Sequence, residues 1–248
     1  MPLSEERTYG RFSEHSPSPN APRMKAFSPE DLLGLLNDIE QKFAPKTLFV
    51  EGNSSLLQAS PRVAVIGTRH PSSEGKRRAA RLTRLLVKSG AIIVSGLAEG
   101  IDTIAHKTAI EAGGRTIAVL GTPLDKVYPK ENAALQKMIA SEHLVVSQFP
   151  PGWPIQRKNF PMRNRTMALI VDASIIVEAG EGSGTHSQGW EMLRLGKALY
   201  ILQSVCDNPF LKWPLKMIDY GAIPLSDPDN MLNDLPSANV TDMLDVAI

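Results

Sequence analysis

The sequence has few of the features that mark secreted, metal-binding or membrane-spanning proteins. Cys206 is the single cysteine among 248 residues, which excludes an internal disulfide and favours a reducing compartment. The five histidines are scattered and form no cluster at metal-ligand spacing. No apolar run approaches the roughly 20 residues that span a bilayer, and the N-terminal segment lacks the apolar centre of a signal peptide. We therefore expect a cytoplasmic protein without membrane contact, metal or cofactor.

Net charge is also nearly absent. The chain carries 27 basic and 26 acidic side chains, a formal charge of +1 at pH 7. A site for nucleic acid would therefore have to be a local basic patch, because the whole molecule supplies no positive field. The hydrophobic content of 42 % is ordinary for a soluble globular protein, and the length suits one α/β domain with small appendages.

Proline content and apolar patterning divide the chain into four parts. Residues 1–27 carry four prolines among serines and charges, and we expect a disordered tail. Residues 28–59 are predicted to form a short helix and strand leading into the main domain, which spans 60–235. Residues 236–248 are polar and small, and we expect a loose C-terminal tail.

The lead-in helix has a clear predicted start. Ser28 is the expected N-cap, and Pro29 suits the first helical position. The apolar residues that follow repeat at helical spacing and predict one continuous helix. These residues are Leu32, Leu35, Leu36 and Ile39.

Six short apolar runs recur in the main domain, most of them separated by stretches of helical length. They are VAVIG (63–67), AIIVS (91–95), TIAVLG (116–121), LVVSQ (144–148), SIIVEA (174–179) and ALYIL (198–202). Continuous apolar strands that alternate with helices indicate a parallel sheet that is covered on both faces. The expected fold class is α/β, an extended Rossmann-like, doubly wound, mostly parallel sheet with helices on both faces.

The loop after the first run has an arginine where a dinucleotide-binding protein needs a glycine. Gly67 is present, but Arg69 stands where the second glycine of a G-x-G-x-x-G fingerprint lets the backbone approach pyrophosphate. NAD or FAD bound in that way is therefore not expected. Ser72 and Ser73 follow near a helix start, where backbone N–H groups favour anions. We interpret the loop as an anion-binding site; a serine N-cap beside a surface arginine is the alternative.

Two further segments are basic or rich in glycine. Arg163, Asn164 and Arg165 lie close to Phe160, and cations beside an aromatic ring can bind phosphates and stack a base. The alternative is a basic helix start above a buried ring. Residues 180–185 combine three glycines with hydroxyl groups, which favours a binding loop over a plain turn. The candidate contacts in that loop are Gly182, Ser183, Gly184 and Thr185.

Asp102 and His106 lie four residues apart in the segment VSGLAEGIDTIAH (94–106). Asp102 is expected near a helix N-terminus, and His106 falls one turn later, where the two side chains can form a hydrogen bond. An acid–base pair would also need a nucleophile or a substrate proton within reach, and the sequence identifies none. We therefore predict that the two residues form a structural pair.

In order along the chain, the motifs GTR…SS, SGLAEGIDTIAH, TIAVLG, YPKEN, FPMRNR, VEA and GSGT resemble the DNA-processing protein A family (DprA, also called Smf). The resemblance covers roughly residues 48–232. It implies an extended Rossmann fold, no catalytic activity, single-stranded DNA binding, a homodimer and loading of the RecA recombinase. It places one set of residues in or near a basic DNA pocket and leaves Asp102 and His106 in the scaffold. That set is Arg69, Lys130, Arg163, Asn164, Arg165 and the loop 182–185.

A different function stays open at this point. The segment GEGSGTHSQ (180–188) also resembles the signature of the Lonely Guy phosphoribohydrolases, which act on nucleoside monophosphates. Gln188 stands where the catalytic glutamate belongs, and an amide cannot accept a proton as a carboxylate does. Glu191 lies one helical step further on. A nucleotide sensor or a hydrolase is therefore the alternative to a DNA-binding protein.

Overall fold

The computed structural model describes residues 24–235, and its centre is a single nine-stranded sheet. The strands lie in the order β1-β2-β6-β5-β4-β3-β7-β8-β9. The two outer strands β1 and β2 are antiparallel to their neighbours, and every other pairing is parallel. The strands are β1 (Lys25–Phe27), β2 (Leu48–Gly52), β3 (Arg62–Gly67), β4 (Ile92–Ser95), β5 (Thr116–Leu120), β6 (Leu144–Ser147), β7 (Ala173–Glu178), β8 (Ala198–Leu202) and β9 (Ile223–Leu225).

Helices cover both faces of this sheet, with α3 and α4 packed together on one face and α6 and α7 on the other. Within residues 24–235, none of the helices combines the length and apolar character that crossing a bilayer would require. The helices are α1 (Pro29–Leu33), α2 (Asp38–Phe43), α3 (Ser73–Lys88), α4 (Ile101–Glu111), α5 (Ala133–Glu142), α6 (Asn159–Ile170), α7 (Thr185–Arg194), α8 (Gln203–Cys206), α9 (Trp213–Asp219) and α10 (Pro228–Asp234).

The chain changes direction across the sheet at β3, and this change positions the site. From β3 the strands step outward through β4 and β5 to β6, and α6 then returns the chain so that β7 pairs with the other side of β3. The loops that follow β3 and β7 therefore leave the sheet towards opposite faces. In open α/β sheets such a switch point opens a crevice at the carboxyl ends of the strands, where ligands bind.

The predicted α/β fold is confirmed, and the six apolar runs correspond to β3 through β8. The central strands β4, β5 and β6 are buried along their whole length. This complete burial explains why their sequences are continuously apolar instead of alternating, since a parallel strand covered on both faces has no side that meets water.

The N-terminal boundary of the main fold differs from the prediction. Residues 25–27, which the sequence pattern places in a disordered tail, form β1 and pair with β2. Strand β2 in turn pairs with β6, so the lead-in extends the sheet of the main domain. The rest of the predicted tail, residues 1–23, and the predicted C-terminal tail, residues 236–248, lie outside the described residues.

The predicted helix start is confirmed, because the Ser28 side chain accepts a hydrogen bond from the Asp31 N–H at 3.2 Å and Pro29 is the first helical residue. The predicted continuous helix is wrong. Gly34 ends α1 with a φ of 79°, a left-handed conformation that glycine adopts at little cost. A separate helix, α2, begins only after Asn37, and Leu35 in the connection is completely exposed.

This break in the helix predicts opposite outcomes for two leucines of the same segment. Leu32→Ala should lower the free energy of unfolding by about 2–5 kcal/mol, because Leu32 is 3 % exposed and packs in the main core. Leu35→Ala should change it by less than about 0.5 kcal/mol, since Leu35 is 100 % exposed. Urea unfolding of both variants measures the difference. Equal decreases would mean that Leu35 is covered in solution.

Candidate functional site

A cavity of about 570 Å³ lies at the switch point, between the loops that follow β3 and β7. The segment 66–70, Gly180 with residues 182–185 of the glycine-rich loop, and residues of α6 line it. Asp102 and Gln188 also line it. Several loops that are distant in sequence, and that were predicted to share one edge of the sheet, therefore meet in one space.

Arg163 is the central cation of this cavity, although it is only 8 % exposed. Its Nη1 donates hydrogen bonds to the carbonyls of Gly96 at 2.6 Å and Val119 at 2.9 Å, which lie at the ends of β4 and β5. Its Nε donates to Oδ1 of Asn164 at 2.9 Å. Among the described residues Nη2 has no hydrogen-bond partner, so its two N–H groups are free to meet a ligand.

Asp102 supplies the negative charge that balances this buried cation. Its Oδ2 accepts hydrogen bonds from the backbone N–H groups of Gly96 at 3.1 Å and Ala98 at 3.4 Å. Leu97, between them, has a φ of 58°, so the turn folds tightly around the carboxylate. Burial raises the pKa of Asp102, whereas the charge of Arg163 and the two N–H groups oppose that increase.

Burial lowers the pKa of Arg163, and the nearby positive charge of Arg69 acts in the same direction, whereas Asp102 raises it. Arginine keeps its proton under any of these influences because its pKa is so high. Two arginines therefore line one cavity together with a single buried carboxylate at the start of α4. This local excess of positive charge favours an anion in the cavity.

Arg69 is exposed at the carboxyl end of β3, and its guanidinium carbon lies 5.9 Å from the centroid of the Phe160 ring. This distance is typical of a cation–π contact. Phe160 is half-buried and also lines the cavity, so a cation lies beside an aromatic ring there. The cation over the ring is Arg69, whereas the sequence pattern indicated Arg163 and Arg165. The ring presents apolar surface beside the positive charge.

The glycine loop 180–185 has free space at its glycine Cα atoms, and the fold does not require glycine at these positions. A Cβ atom added at Gly180, Gly182 or Gly184 would meet nothing within 4 Å, and none of the three has a positive φ. The N–H groups of Gly182 and Gly184 donate no hydrogen bond within the described part of the chain. The loop leads directly into α7, whose N-terminus favours an anion. The arrangement provides space and donors for a ligand.

By contrast, Gly67, which lines the cavity, and Gly96, whose carbonyl accepts from Arg163, serve the fold. A Cβ at Gly67 would lie 2.6 Å from Cγ1 of Ile101, and a Cβ at Gly96 would lie 1.8 Å from Nη1 of Arg163. Gly67 lines the cavity, but its lack of a side chain is explained by packing.

Ser72 and Ser73, predicted to contact an anion, do not line the cavity. The backbone N–H of Ser72 donates to Oε1 of Glu178 at 2.9 Å, and its hydroxyl donates to Oε2 at 2.7 Å. A carboxylate of the chain itself thus occupies the start of α3. Ser72 is the N-cap of that helix and Ser73 its first residue.

Arg165 and Lys130 also lie away from the cavity wall. Arg165 forms an ion pair with Glu191 at 3.4 Å, and its guanidinium carbon lies 5.2 Å from the centroid of the Phe43 ring. The carboxylate of Glu191 therefore neutralises the charge of Arg165. Its neighbour Asn164, in contrast, does line the cavity. Lys130 is exposed at the start of a 3₁₀ turn, next to Pro129, which lines a smaller recess beside the main cavity.

Asp102 and His106 are both buried in the scaffold, but the predicted hydrogen bond between them is wrong. Nδ1 of His106 lies 2.7 Å from Oγ1 of Thr116, whose hydroxyl donates to the Ile93 carbonyl at 2.8 Å. Since that hydroxyl proton is already used, Nδ1 of His106 carries the proton of the imidazole and donates it. Asp102 instead holds the 96–98 turn.

Sequence reasoning missed the role of Asn132, the last residue of the YPKEN motif. Its Nδ2 donates hydrogen bonds to the carbonyl of Leu97 at 2.9 Å and to Oγ1 of Thr103 at 2.8 Å. It thereby fastens the turn that holds Asp102. The motif itself was visible in the sequence, but its partners lie about thirty residues earlier. In the part of the chain that the structure describes, no group of three acidic, histidine or cysteine side chains could hold a metal ion.

The burial of His106 predicts a loss of stability in acid. Burial lowers the pKa of His106 from 6.5 to about 3, so the folded protein keeps it neutral while the unfolded chain takes up a proton. The unfolded state then binds more protons, and the free energy of unfolding falls as the pH drops below about 6.5. Between about pH 7 and pH 5, this group should cost about 2 kcal/mol.

Urea unfolding of the wild type and of His106→Gln at both pH values tests this. The variant should lose about 2 kcal/mol less on acidification than the wild type, whatever its stability at neutral pH. Equal decreases would show that His106 takes up its proton in the folded state.

Comparisons with known proteins agree with this architecture. A family model described as DNA recombination-mediator protein A matches residues 27–236. The DNA processing protein DprA of Bacillus subtilis is 34 % identical over 196 residues, which are 79 % of this chain and 66 % of that protein. DprA of Streptococcus pneumoniae is 45 % identical over 142 residues, which are 57 % of this chain and 50 % of that protein. The chain thus spans about half to two thirds of these relatives' length.

Two solved structures share the fold. The X-ray structure of the Streptococcus pneumoniae protein matches with a TM-score of 0.74 at 33 % identity, covering 86 % of this chain and 75 % of that one. DNA processing protein A from Helicobacter pylori, whose structure addresses its single-stranded DNA binding mode, matches with a TM-score of 0.72 at 28 % identity, covering 86 % and 95 %. The chain belongs to the DNA recombination-mediator protein A family.

Proposed function

We propose that this chain binds single-stranded DNA in the cavity at the carboxyl ends of β3 and β7. One observation carries the proposal: Arg69 and Arg163 line one cavity together with a glycine loop whose Cβ positions are empty. The fold has no need of those glycines, whereas a ligand that approaches the backbone closely does.

The groups in the cavity suit a nucleotide with its phosphate. The cations and the unpaired N–H groups of Gly182 and Gly184 can bind phosphate oxygens, as helix N-termini and arginines commonly do. The Phe160 ring beside Arg69 can stack a base. A base can enter the cavity only when it is unpaired, which selects a single strand.

Relatives support the same function. The Helicobacter pylori protein with the same fold has a single-stranded DNA binding mode, and the curated relatives are DNA processing proteins. We extend the proposal to a cytoplasmic homodimer that supports loading of the RecA recombinase during DNA uptake and recombination. Family membership and the ordered motifs support this extension.

The proposed activity is binding and not catalysis. A phosphoribohydrolase would need a carboxylate on α7 facing the nucleotide. Gln188, at that position, is a buried amide in the cavity wall. Glu191, one helical step further, is held by Arg194 at 2.9 Å and by Arg165 at 3.4 Å. Glu191 is the carboxylate that could have replaced the catalytic glutamate of that enzyme class. It is instead paired with two arginines.

Substitution of Arg69 should weaken binding of a single strand without affecting the fold. Arg69→Ala should lower affinity about tenfold or more, because a hydrogen bond to a charged group contributes about 1.5–3 kcal/mol. The slope of log affinity against log salt should fall by about 0.7 for each phosphate that the variant no longer binds. Fluorescence anisotropy with a labelled oligonucleotide, at about 50 to 200 mM salt, measures both.

Arg115→Ala is the matched control. Arg115 is exposed immediately before β5, at the opposite edge of the sheet, and its removal should leave affinity and salt slope unchanged. The proposal fails if Arg69→Ala binds as the wild type does, or if a duplex binds as tightly as a single strand.

The glycines provide a second, independent prediction. Gly182→Ala should leave the melting temperature unchanged, since its Cβ meets nothing within 4 Å, but should weaken single-strand binding by filling ligand space. Gly96→Ala should lower both, because its Cβ would lie 1.8 Å from Nη1 of Arg163 and displace it. Thermal unfolding and anisotropy together separate the two cases. Unchanged binding by Gly182→Ala would exclude this loop from the interface.

A further inference from the structure

We propose that Tyr128 and Trp153 form a second base-stacking subsite, which continues the path of a single strand beyond the cavity. This inference rests on the proposed function. The two rings, together called the rim platform, are 42 % and 40 % exposed. Aromatic rings usually bury most of their surface. Tyr128 lines the smaller recess next to the cavity, and Trp153 lies on a loop that is hydrogen-bonded to the segment before Tyr128, so these two half-open rings point to a function.

Tyr128 extends the apolar surface of the cavity. Its ring centroid lies 5.4 Å from that of Phe160, at an interplanar angle of 50°. Phe160 is packed so closely over Gly121 that a Cβ there would lie 2.6 Å from the ring. The smaller recess beside the main cavity is lined by Tyr128 and shares Arg69, Phe160 and Arg163 with it. A strand leaving the cavity past Phe160 therefore meets Tyr128 next.

Trp153 is held firmly even though its ring is open to solvent. One side of the ring stacks on the buried ring of Phe149, with centroids 6.4 Å apart and planes 28° from parallel. Nζ of Lys126 donates to the Trp153 carbonyl at 2.8 Å, and Oδ2 of Asp125 accepts from the N–H of Gly152 at 3.0 Å. A ring that is already ordered loses little conformational entropy when a base stacks on it.

The same hydrogen bonds join the two segments that carry the rings of the platform. Lys126 and Asp125 lie two and three residues before Tyr128, so the segment that carries Tyr128 also holds the loop that carries Trp153. Nδ2 of Asn159, at the start of α6, donates to the Pro154 carbonyl at 3.0 Å and fastens the other end of that loop.

Charge around the platform suits a nucleic-acid backbone. Lys130, Arg157 and Lys158 are exposed on the segments that carry the two rings. The exposed carboxylate of Asp125 is engaged by the loop backbone, and Glu99 lies in the recess beside Arg69 and Arg163. Cations interleaved with open rings are typical of surfaces that follow a single strand, whose phosphates meet the cations while its bases stack. Continuity with the cavity favours bases over a protein partner.

The test removes each ring but keeps apolar bulk. Tyr128→Leu and Trp153→Leu should each lower affinity for a thymidine oligonucleotide about fivefold or more, which is the usual effect of removing one ring that stacks a base. The slope of log affinity against log salt should not change, because both variants keep every cation that binds a phosphate. Tyr220→Leu is the control, since Tyr220 is 67 % exposed and packs against Trp190 of α7, away from the platform.

An abasic strand with the same number of phosphates identifies the interaction. The wild type and both platform variants should bind it equally, since it has no bases to stack. A decrease in affinity that is equally large for the abasic strand would overturn the inference.

Comparison with Arg69→Ala separates this inference from the proposed function. If the platform variants bind as the wild type does while Arg69→Ala does not, the subsite is wrong and the proposed function stands. If the wild type binds no single strand, the proposed function and the subsite both fail.

Discussion

The buried guanidinium of Arg163 is the group around which the site is organised. A buried charge is costly unless hydrogen bonds and an opposite charge compensate it. Here the carbonyls of Gly96 and Val119 accept from Nη1, and Asp102 supplies the negative charge. Asp102 in turn accepts from the backbone of the turn that begins at Gly96. The cation, the turn and the carboxylate therefore determine one another's positions.

The distribution of charged side chains explains how a chain with a formal charge of +1 presents a basic site. Two cations close to the cavity, Arg165 and Arg194, are held by one acidic partner, Glu191. Glu178 likewise occupies the start of α3 and is bound by Ser72. Arg69 forms no ion pair among the described residues and faces the cavity beside Arg163. Positive charge is thus concentrated locally although the molecule as a whole is nearly neutral.

Much of this could be predicted, and the exceptions have physical reasons. The parallel strands were visible because burial on both faces makes their sequences continuously apolar. The prediction of a single lead-in helix was wrong because it followed the spacing of the leucines and ignored Gly34, which ends α1. Periodicity indicates which residues could share a face, but a left-handed glycine can end the helix that would align them.

The sequence by itself determined the order of strands and helices, and with it the edge of the sheet at which the loops meet. Only the tertiary structure decided which side chains at that edge remain available to a ligand. Ser72 is bound by Glu178, 106 residues later, and Arg163 is held by Gly96, 67 residues earlier. The spacing of apolar residues follows from the backbone period of each helix or strand, so it is visible in the sequence. The partner of a polar group depends on distant segments that folding brings together across the sheet.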